Sequence, residues 1–315
     1  VVSKKDAIQN SEATFVSLSR SIERQNIPMK YLRHLAIPLV RYLDKGQQHI
    51  VSQIGVSDLL TTKIRESLFS RGGRSVGMLA QGVLSYLILS AARGLVGLHM
   101  AGRTHGDPKP DNLILVRYGD KLTGNLNHSL KWIDFGLSAE INVKGVPKGS
   151  PGFAAPEVIG EIATGKKVLY TPKTDSFGMM MSMVVVFTAT SITDRWVGVA
   201  KSQCKKGASS NERQAAFDRA YQDQIESMLD TFKSDANRTG LGKSVVKLVR
   251  KSLLLSPKKR WGPKRIIRES ERILKEALGK DPKMAQWIQE VFQDVSPSKT
   301  LLSSLLSEKG SDQSS

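Results

Sequence analysis

Cysteine is almost absent: Cys204 is the only one in 315 residues. One thiol cannot close an internal disulfide, which excludes a disulfide-held scaffold and fits a reducing compartment; a cytoplasmic location is the expectation. The five histidines, His34, His49, His99, His105 and His128, are scattered, so no zinc cluster is expected. Aromatic residues make up only 6%. No stacking or helix-turn-helix motif is evident, so no specific nucleic-acid partner is expected. Long apolar runs are missing too. The longest, near Met179–Ala189, is broken by Ser182 and Thr188; it is too short for a transmembrane segment and suits a buried helix. Acids are scarce, 29 Asp and Glu against 47 Lys and Arg, a net charge of +18. That charge draws anions of many kinds, nucleotides and acidic partners included, without choosing among them. The chain opens at Val1 rather than Met, so a fragment or processed form is expected.

What is present, 40% apolar and 24% charged residues, is the balance of a globular protein. Val1–Lys5 reads as the end of a strand. Phe15, Leu18 and Ile22 recur at helical spacing and predict a helix over 12–26, closed by Pro28. Residues 39–43 and 49–54 read as strands around the turn Asp44-Lys45-Gly46. A helix over 58–69 follows, broken by Arg71-Gly72-Gly73. Leu79, Val83, Leu87, Ala91, Leu95 and Leu98 mark a long amphipathic helix. Two short strands, 113–116 and 130–133, flank a polar turn. A Gly/Pro loop leads to a region that is helical from Asp175 to about Leu306. Residues 201–214 read as an exposed polar insertion. Lys264, Arg265, Arg268, Arg272 and Lys275 read as the wet face of a helix, and the Ser-rich end from Ser296 as a segment whose last residues are disordered.

Chemistry concentrates in His105-Gly106-Asp107-Pro108-Lys109-Pro110-Asp111-Asn112, then Asp134-Phe135-Gly136, then Ala155-Pro156-Glu157. Asp107 is a carboxylate on a loop stiffened by two prolines, suited to accept a proton from an attacking hydroxyl. Lys109, two residues on, can meet the charge of a transferring phosphoryl group. Asn112 and Asp134 offer hard oxygen ligands for Mg2+ held against phosphates. Phosphoryl transfer needs positioning and charge neutralisation more than covalent chemistry, and this set supplies both.

These motifs resemble the protein kinase family. His105, Asp107, Lys109, Pro110 and Asn112 match H-x-D-x-K-P-x-N; the D-F-G and A-P-E triplets follow in order. The resemblance implies an α+β, bilobal protein-kinase-like fold. Its domains would be a partial, β-containing N-lobe over 1–55, a mainly helical C-lobe over 56–275 and a helical tail over 276–315. It implies transfer of a phosphoryl group from ATP, with Mg2+, to Ser or Thr hydroxyls of a protein substrate. Lys109 favours the Ser/Thr type, because tyrosine kinases usually lack lysine there. By the same resemblance Lys4, in Val1-Val2-Ser3-Lys4, would hold ATP phosphates and pair with Glu23. Val2 would roof the adenine pocket and Ile114 would floor it. Residues 49–55 would form its hinge, with Ser52 at the back and Gln53 and Gly55 beside the base. Residues 149–157 would be the substrate-binding end of the activation segment, where Ser150 would bond Asp107 and Lys109; Arg260 would pair with Glu157, and Asp175 would anchor the catalytic loop. A second alignment, matching Ser176-Phe177-Gly178, puts Lys173 at that anchor position instead.

The chain also departs from the family pattern. Only Val1–Ser3 precede Lys4, so the Gly-rich loop is not in the chain. The usual arginine before the catalytic Asp is Gly106, which predicts activity independent of phosphorylation of the activation segment. Pro108 replaces the usual leucine. The alternative to an active enzyme is a catalytically weak or inactive kinase-like scaffold that binds ATP or a partner. Small-molecule kinases share the H-x-D-x-x-x-x-N loop but usually lack both the lysine and the A-P-E segment. Neither the physiological substrate nor the oligomeric state follows from the residues.

Overall fold

The structure, a computed structural model, describes residues 18, 20, 22, 24–36, 40–44, 47–51, 66, 76–117, 128–146, 149–159, 166–190, 202 and 208–295. Lys4, Glu23, Val2, Ser52, Gln53 and Gly55 lie outside the described residues, as does most of the expected helix over 58–69.

Leu18 and Ile22 are helical, and Pro28 precedes a short helix, α1 (Met29–Leu32). A hairpin follows, β1 (Val40–Asp44) with β2 (Gln47–Val51), in antiparallel register from Val40 opposite Val51 to Asp44 opposite Gln47. The body is built on α2 (Val76–Met100). Its leucine stripe suggested one buried face. In fact Ala80, Leu84, Ile88, Ala92 and Val96 are buried too, so the helix is enclosed nearly all round. No membrane-spanning stretch was expected. By length and composition alone Gly77–Met100 qualifies as one, but 78% of its most apolar stretch is buried inside the protein.

Beyond α2 lie β3 (Arg103–Thr104), a 3-10 turn (Pro110–Asn112), β4 (Leu113–Arg117) and β5 (His128–Trp132). β4 and β5 pair antiparallel, with Leu113 opposite Trp132. That register brings Asn112, just before β4, and Asp134, just after β5, to the same end of the hairpin. Trp132 ties the hairpin to α2 by donating from Nε1 to Ala91 O at 2.8 Å. Two further pairs close the loops: β3 with β6 (Ala139–Glu140), and β7 (Lys144–Gly145) with β8 (Val168–Leu169).

The second core helix, α3 (Pro172–Thr188), begins with a reciprocal cap between Thr171 and Thr174 and has Pro172 at its first position. Every residue from Thr174 to Thr188 is buried. α4 (Ser210–Thr239), α5 (Lys243–Ser252), α6 (Pro263–Lys280) and α7 (Met284–Val295) complete the body.

In the polar stretch over 201–214, residues 211–213 are exposed, as expected. Ser209 and Glu212 form a capping box, so Ser210 starts a helix whose inner face is buried from Ala216 on. Residue 275 lies within α6, and residues 284–295 form α7. Met284, Ile288, Val291 and Phe292 are fully buried, and Phe292 packs on Tyr86 of α2 at 5.3 Å.

Candidate active site

The catalytic loop is held from below by a single buried carboxylate. Asp175, in the first turn of α3 and 1% exposed, accepts the backbone N–H of His105 at 2.8 Å and that of Gly106 at 3.1 Å. The Oδ2 that takes His105 also meets His99 Nε2 at 2.7 Å. Lys173 points elsewhere: its Nζ donates to Pro257 O at 2.6 Å and Lys258 O at 3.3 Å. The alignment that put Lys173 at the anchor position is therefore excluded.

His105 is fully buried against Trp132 and Phe135, at ring distances of 4.9 and 5.4 Å. Burial lowers its pKa, so the ring is neutral. Its tautomer follows from its partners. Nδ1 accepts the Asp107 N–H at 3.4 Å, and Nε2–H donates to Ile133 O at 3.1 Å. His105 thus fastens the loop to β5 and the D-F-G turn, as a packing residue rather than a base.

Above this floor four side chains converge. Asp107 Oδ1 accepts the Ser150 N–H at 2.7 Å, and Lys109 Nζ lies 3.2 Å from Asp107 Oδ2 and 3.1 Å from Ser150 Oγ. Asn112 Nδ2 donates to Asp107 O at 2.9 Å and lies 3.5 Å from Oδ2. The set presents a partly buried carboxylate flanked by a cation, an amide and a hydroxyl.

Pro108, the departure from the usual leucine, packs against Gly178 of α3, where an added Cβ would come within 2.6 Å of Pro108 Cγ. Its carbonyl accepts from Ser182 Oγ at 3.1 Å. Gly106 has a positive φ of +85°, and a Cβ there would sit 2.2 Å from Leu137 O. The backbone passes too close for the arginine that the family keeps at this place.

Asp134 also has a positive φ, +57°, unusual for a residue with a Cβ. Its Oδ1 accepts the Gly136 N–H at 3.2 Å, which holds the turn and keeps the exposed carboxylate at the hairpin end. Ile133 N–H donates to Asn112 O at 3.0 Å, locking the two metal candidates to one another through the backbone. Asn112 spends its amide nitrogen on Asp107. Its Oδ1, and Oδ2 of Asp134, have no protein donor among the described residues. Two open hard oxygens fit Mg2+. Among the described residues no cluster of three His, Cys, Asp or Glu could hold a metal unaided. A cation here would take the rest of its ligands from phosphates or water. Ile114, expected at the floor of an adenine pocket, packs with Ala36 and Val116 in a small apolar cluster.

Below the activation segment, Arg260 is 2% exposed and spends all five donors. It pairs with Glu157 at 2.7 and 2.9 Å and donates to the carbonyls of Lys173, Leu254 and Leu255. Its guanidinium stacks over Phe177 at 4.8 Å. Tyr221 of α4 donates to Ala154 O, tying that segment to the helical body. His99 and Tyr221 were not among the expected site residues. Each acts across a long sequence separation that carries no local signal.

The comparisons with known proteins agree with this geometry. The family model described as the protein kinase domain matches residues 41–270. The ovarian-specific serine/threonine-protein kinase Lok of Drosophila melanogaster is 32% identical over 152 residues, which is 44% of this chain and 29% of that protein. The serine/threonine-protein kinase STE20 of Candida glabrata is 33% identical over 131 residues, 40% of this chain and 12% of that protein. The hormonally up-regulated neu tumor-associated kinase homolog B of Xenopus laevis is 35% identical over 99 residues, 30% of this chain and 13% of that protein. The chain spans less than a third of the length of these curated relatives. The family match covers most of the chain, and with it the loop, the hairpin and the Arg260–Glu157 pair: the chain belongs to the protein kinase domain family, whose fold is bilobal.

Proposed function

We propose that the protein transfers the γ-phosphoryl group of ATP to Ser or Thr hydroxyls of protein substrates. The observation that carries this is the setting of Asp107, with Lys109 Nζ at 3.2 Å, Ser150 N at 2.7 Å and Asn112 Nδ2 at 3.5 Å. In this reading Asp107 orients the acceptor hydroxyl and takes its proton as the oxygen–phosphorus bond forms. The bond from phosphorus to the bridging oxygen of ADP breaks in the same displacement. Lys109 sits where it can steady the charge on the moving group. Ser150 holds Asp107 and Lys109 in register with the substrate-binding segment. Asn112 and Asp134 would hold Mg2+, which when bound would neutralise phosphate charge. Lys4 with Glu23 would hold the ATP phosphates, and Val2, Gln53, Gly55 and Ile114 would surround the adenine. The Ser/Thr class is supported by Lys109 and by the names of the relatives. We also propose a β-containing N-lobe ending near residue 55, with the helical body described above as the C-lobe, and a cytoplasmic location.

The test is phosphate transfer from ATP to a Ser/Thr-containing protein or peptide, with wild type and Asp107→Asn compared at equal concentration. Turnover in wild type and a loss of at least about a hundredfold in the variant is expected. Equal signals would mean that Asp107 does no chemistry and that the scaffold reading holds.

A further inference from the structure

A cavity of about 900 Å3 opens on the face of the helical body beneath the catalytic loop, between the end of α2, the start of α3 and the start of α6. Its walls are largely apolar, from Val96, Met100, Ile141 and Pro263. Its charged lining is of one sign. Lys258, Lys264, Arg265 and Arg268 all reach it, and no acidic residue lines it. None of these four has an acidic partner among the described residues. Farther along the same helix, in contrast, Arg272 is paired with Glu269 and Glu276.

The start of α6 is electrostatically inverted. Gly262 caps it without a side-chain bond, the first turn holds no acid, and Lys264 and Arg265 stand there instead. A helix N-terminus carries partial positive charge, so added cations there are unfavourable and an anion among them is favoured. On the wall, His99 has a side chain only 8% exposed, and its Nε2 is committed to Asp175.

We propose that this cavity binds a small anion with a single apolar tail, a carboxylate or phosphate on one alkyl or acyl chain. The head group would lie at the start of α6 among Lys264, Arg265 and Arg268, and the tail along Val96, Met100 and Ile141. The volume is in the range that holds ligands of this size. Neither half suffices by itself: an inorganic anion leaves the apolar wall wet, and a neutral tail gains nothing from the cations at its rim. This site lies apart from the ATP cleft of the proposed function and does not depend on turnover. One wall residue, His99, is hydrogen-bonded to the carboxylate that anchors the catalytic loop.

The experiment is isothermal titration of the full chain, without nucleotide, by dodecanoate and by dodecyl phosphate below their critical micelle concentrations. Inorganic phosphate and dodecyltrimethylammonium serve as head-only and wrong-charge controls. The expected result is saturable one-to-one binding of at least one tailed anion. In the surface variant Lys264→Glu/Arg268→Glu that binding should weaken by at least about tenfold. The same variant places an acid in the first turn of α6, so its melting temperature without ligand should hold or rise, which separates lost binding from lost folding. Binding by dodecanoate tells a fatty-acid-type head group from the phosphate type reported by dodecyl phosphate. The proposal is overturned if neither tailed anion binds, if dodecyltrimethylammonium or inorganic phosphate binds as tightly, or if the charge-reversed variant binds like wild type.

Discussion

The carboxylate of Asp175 accepts the backbone N–H of His105 at 2.8 Å, although 70 positions of sequence separate them. Both of its oxygens are in use, since Oδ1 takes Gly106 N–H and Oδ2 also meets His99. An amide cannot replace it, because one of its two ends donates rather than accepts. Asp175→Asn should therefore lower kcat by about 10–100-fold, because loop placement governs the attack geometry. Unfolding free energy should fall by about 1–3 kcal/mol for the unsatisfied N–H groups. Steady-state kinetics and urea denaturation read the two effects separately. An unchanged kcat would mean that the loop keeps its shape without the anchor.

Arg260 and Glu157 make the complementary case, in which a buried cation has five acceptors. Arg260→Lys keeps the charge but cannot match that fork, and should cost about 3–5 kcal/mol. Glu157→Gln retains one acceptor oxygen at a partly exposed position and should cost less, about 1–2 kcal/mol. Denaturant titration of both variants and of the double variant gives the coupling. Additive losses would show that the two residues act apart.

What could be read from the residues is what local spacing fixes. Asp107, Lys109 and Asn112 fall on one short loop whatever the fold. Two apolar runs around one polar turn make a hairpin, and the hairpin brings Asn112 and Asp134 together. What could not be read depends on partners distant in sequence. Pro108 packs on Gly178, and a partner of Asp175 is His99, 76 positions away. The leucine stripe of α2 hid the burial of its other faces, where Ala80, Leu84, Ile88, Ala92 and Val96 are enclosed by elements distant in sequence. The basic run at 264–275 read as one wet face, and its five cations are exposed; that Lys264, Arg265 and Arg268 also line a cavity depends on α2 and α3, far away in sequence.

Gly106 stands where an arginine would pair with a phosphorylated activation segment, and its backbone admits no side chain. With φ at +85° and Leu137 O at 2.2 Å from a built Cβ, Gly106→Ala should destabilise the loop by more than about 1 kcal/mol and abolish turnover. Gly106→Arg should do the same rather than create phosphate-dependent activity. Phosphatase treatment of the wild-type protein should leave turnover unchanged. A loss of turnover with a phosphosite mapped to the activation segment would show that another cation fills the role.

Stability should fall on acidification for a reason that can be placed at one residue. Burial lowers the pKa of His34 to about 3, although its bond to Leu130 O works the other way. In the unfolded chain the same ring takes a proton near pH 6.5. Below that pH the unfolded state binds one proton more than the folded state. The contribution is fully present above about pH 6.5 and is lost steadily as pH falls toward the folded value, at about 1.4 kcal/mol per pH unit. Whatever His34→Gln does to the height of the stability curve through packing, it should flatten its slope between about pH 6 and pH 4 by that amount. Equal slopes for variant and wild type would mean that the imidazole is protonated in the folded state.

Metal use should depend on Asp134 in a way that separates it from Asp107. Asp134 holds its turn through Oδ1 and Gly136 N–H, and that bond survives in Asp134→Asn if the amide oxygen takes the Oδ1 place. What the substitution removes is the negative charge that a divalent cation needs beside a neutral amide ligand such as Asn112. The variant should melt within about 1 kcal/mol of wild type, since its turn is intact. The Mg2+ concentration for half-maximal turnover should rise by at least about tenfold, with a lower plateau. Asp107→Asn should lose turnover at every Mg2+ concentration with the half-saturation point unmoved, because in the proposed mechanism Asp107 meets the acceptor hydroxyl rather than the ion. A Mg2+ titration of the two variants side by side distinguishes these patterns. The same Mg2+ dependence in Asp134→Asn and wild type would remove Asp134 from the metal site.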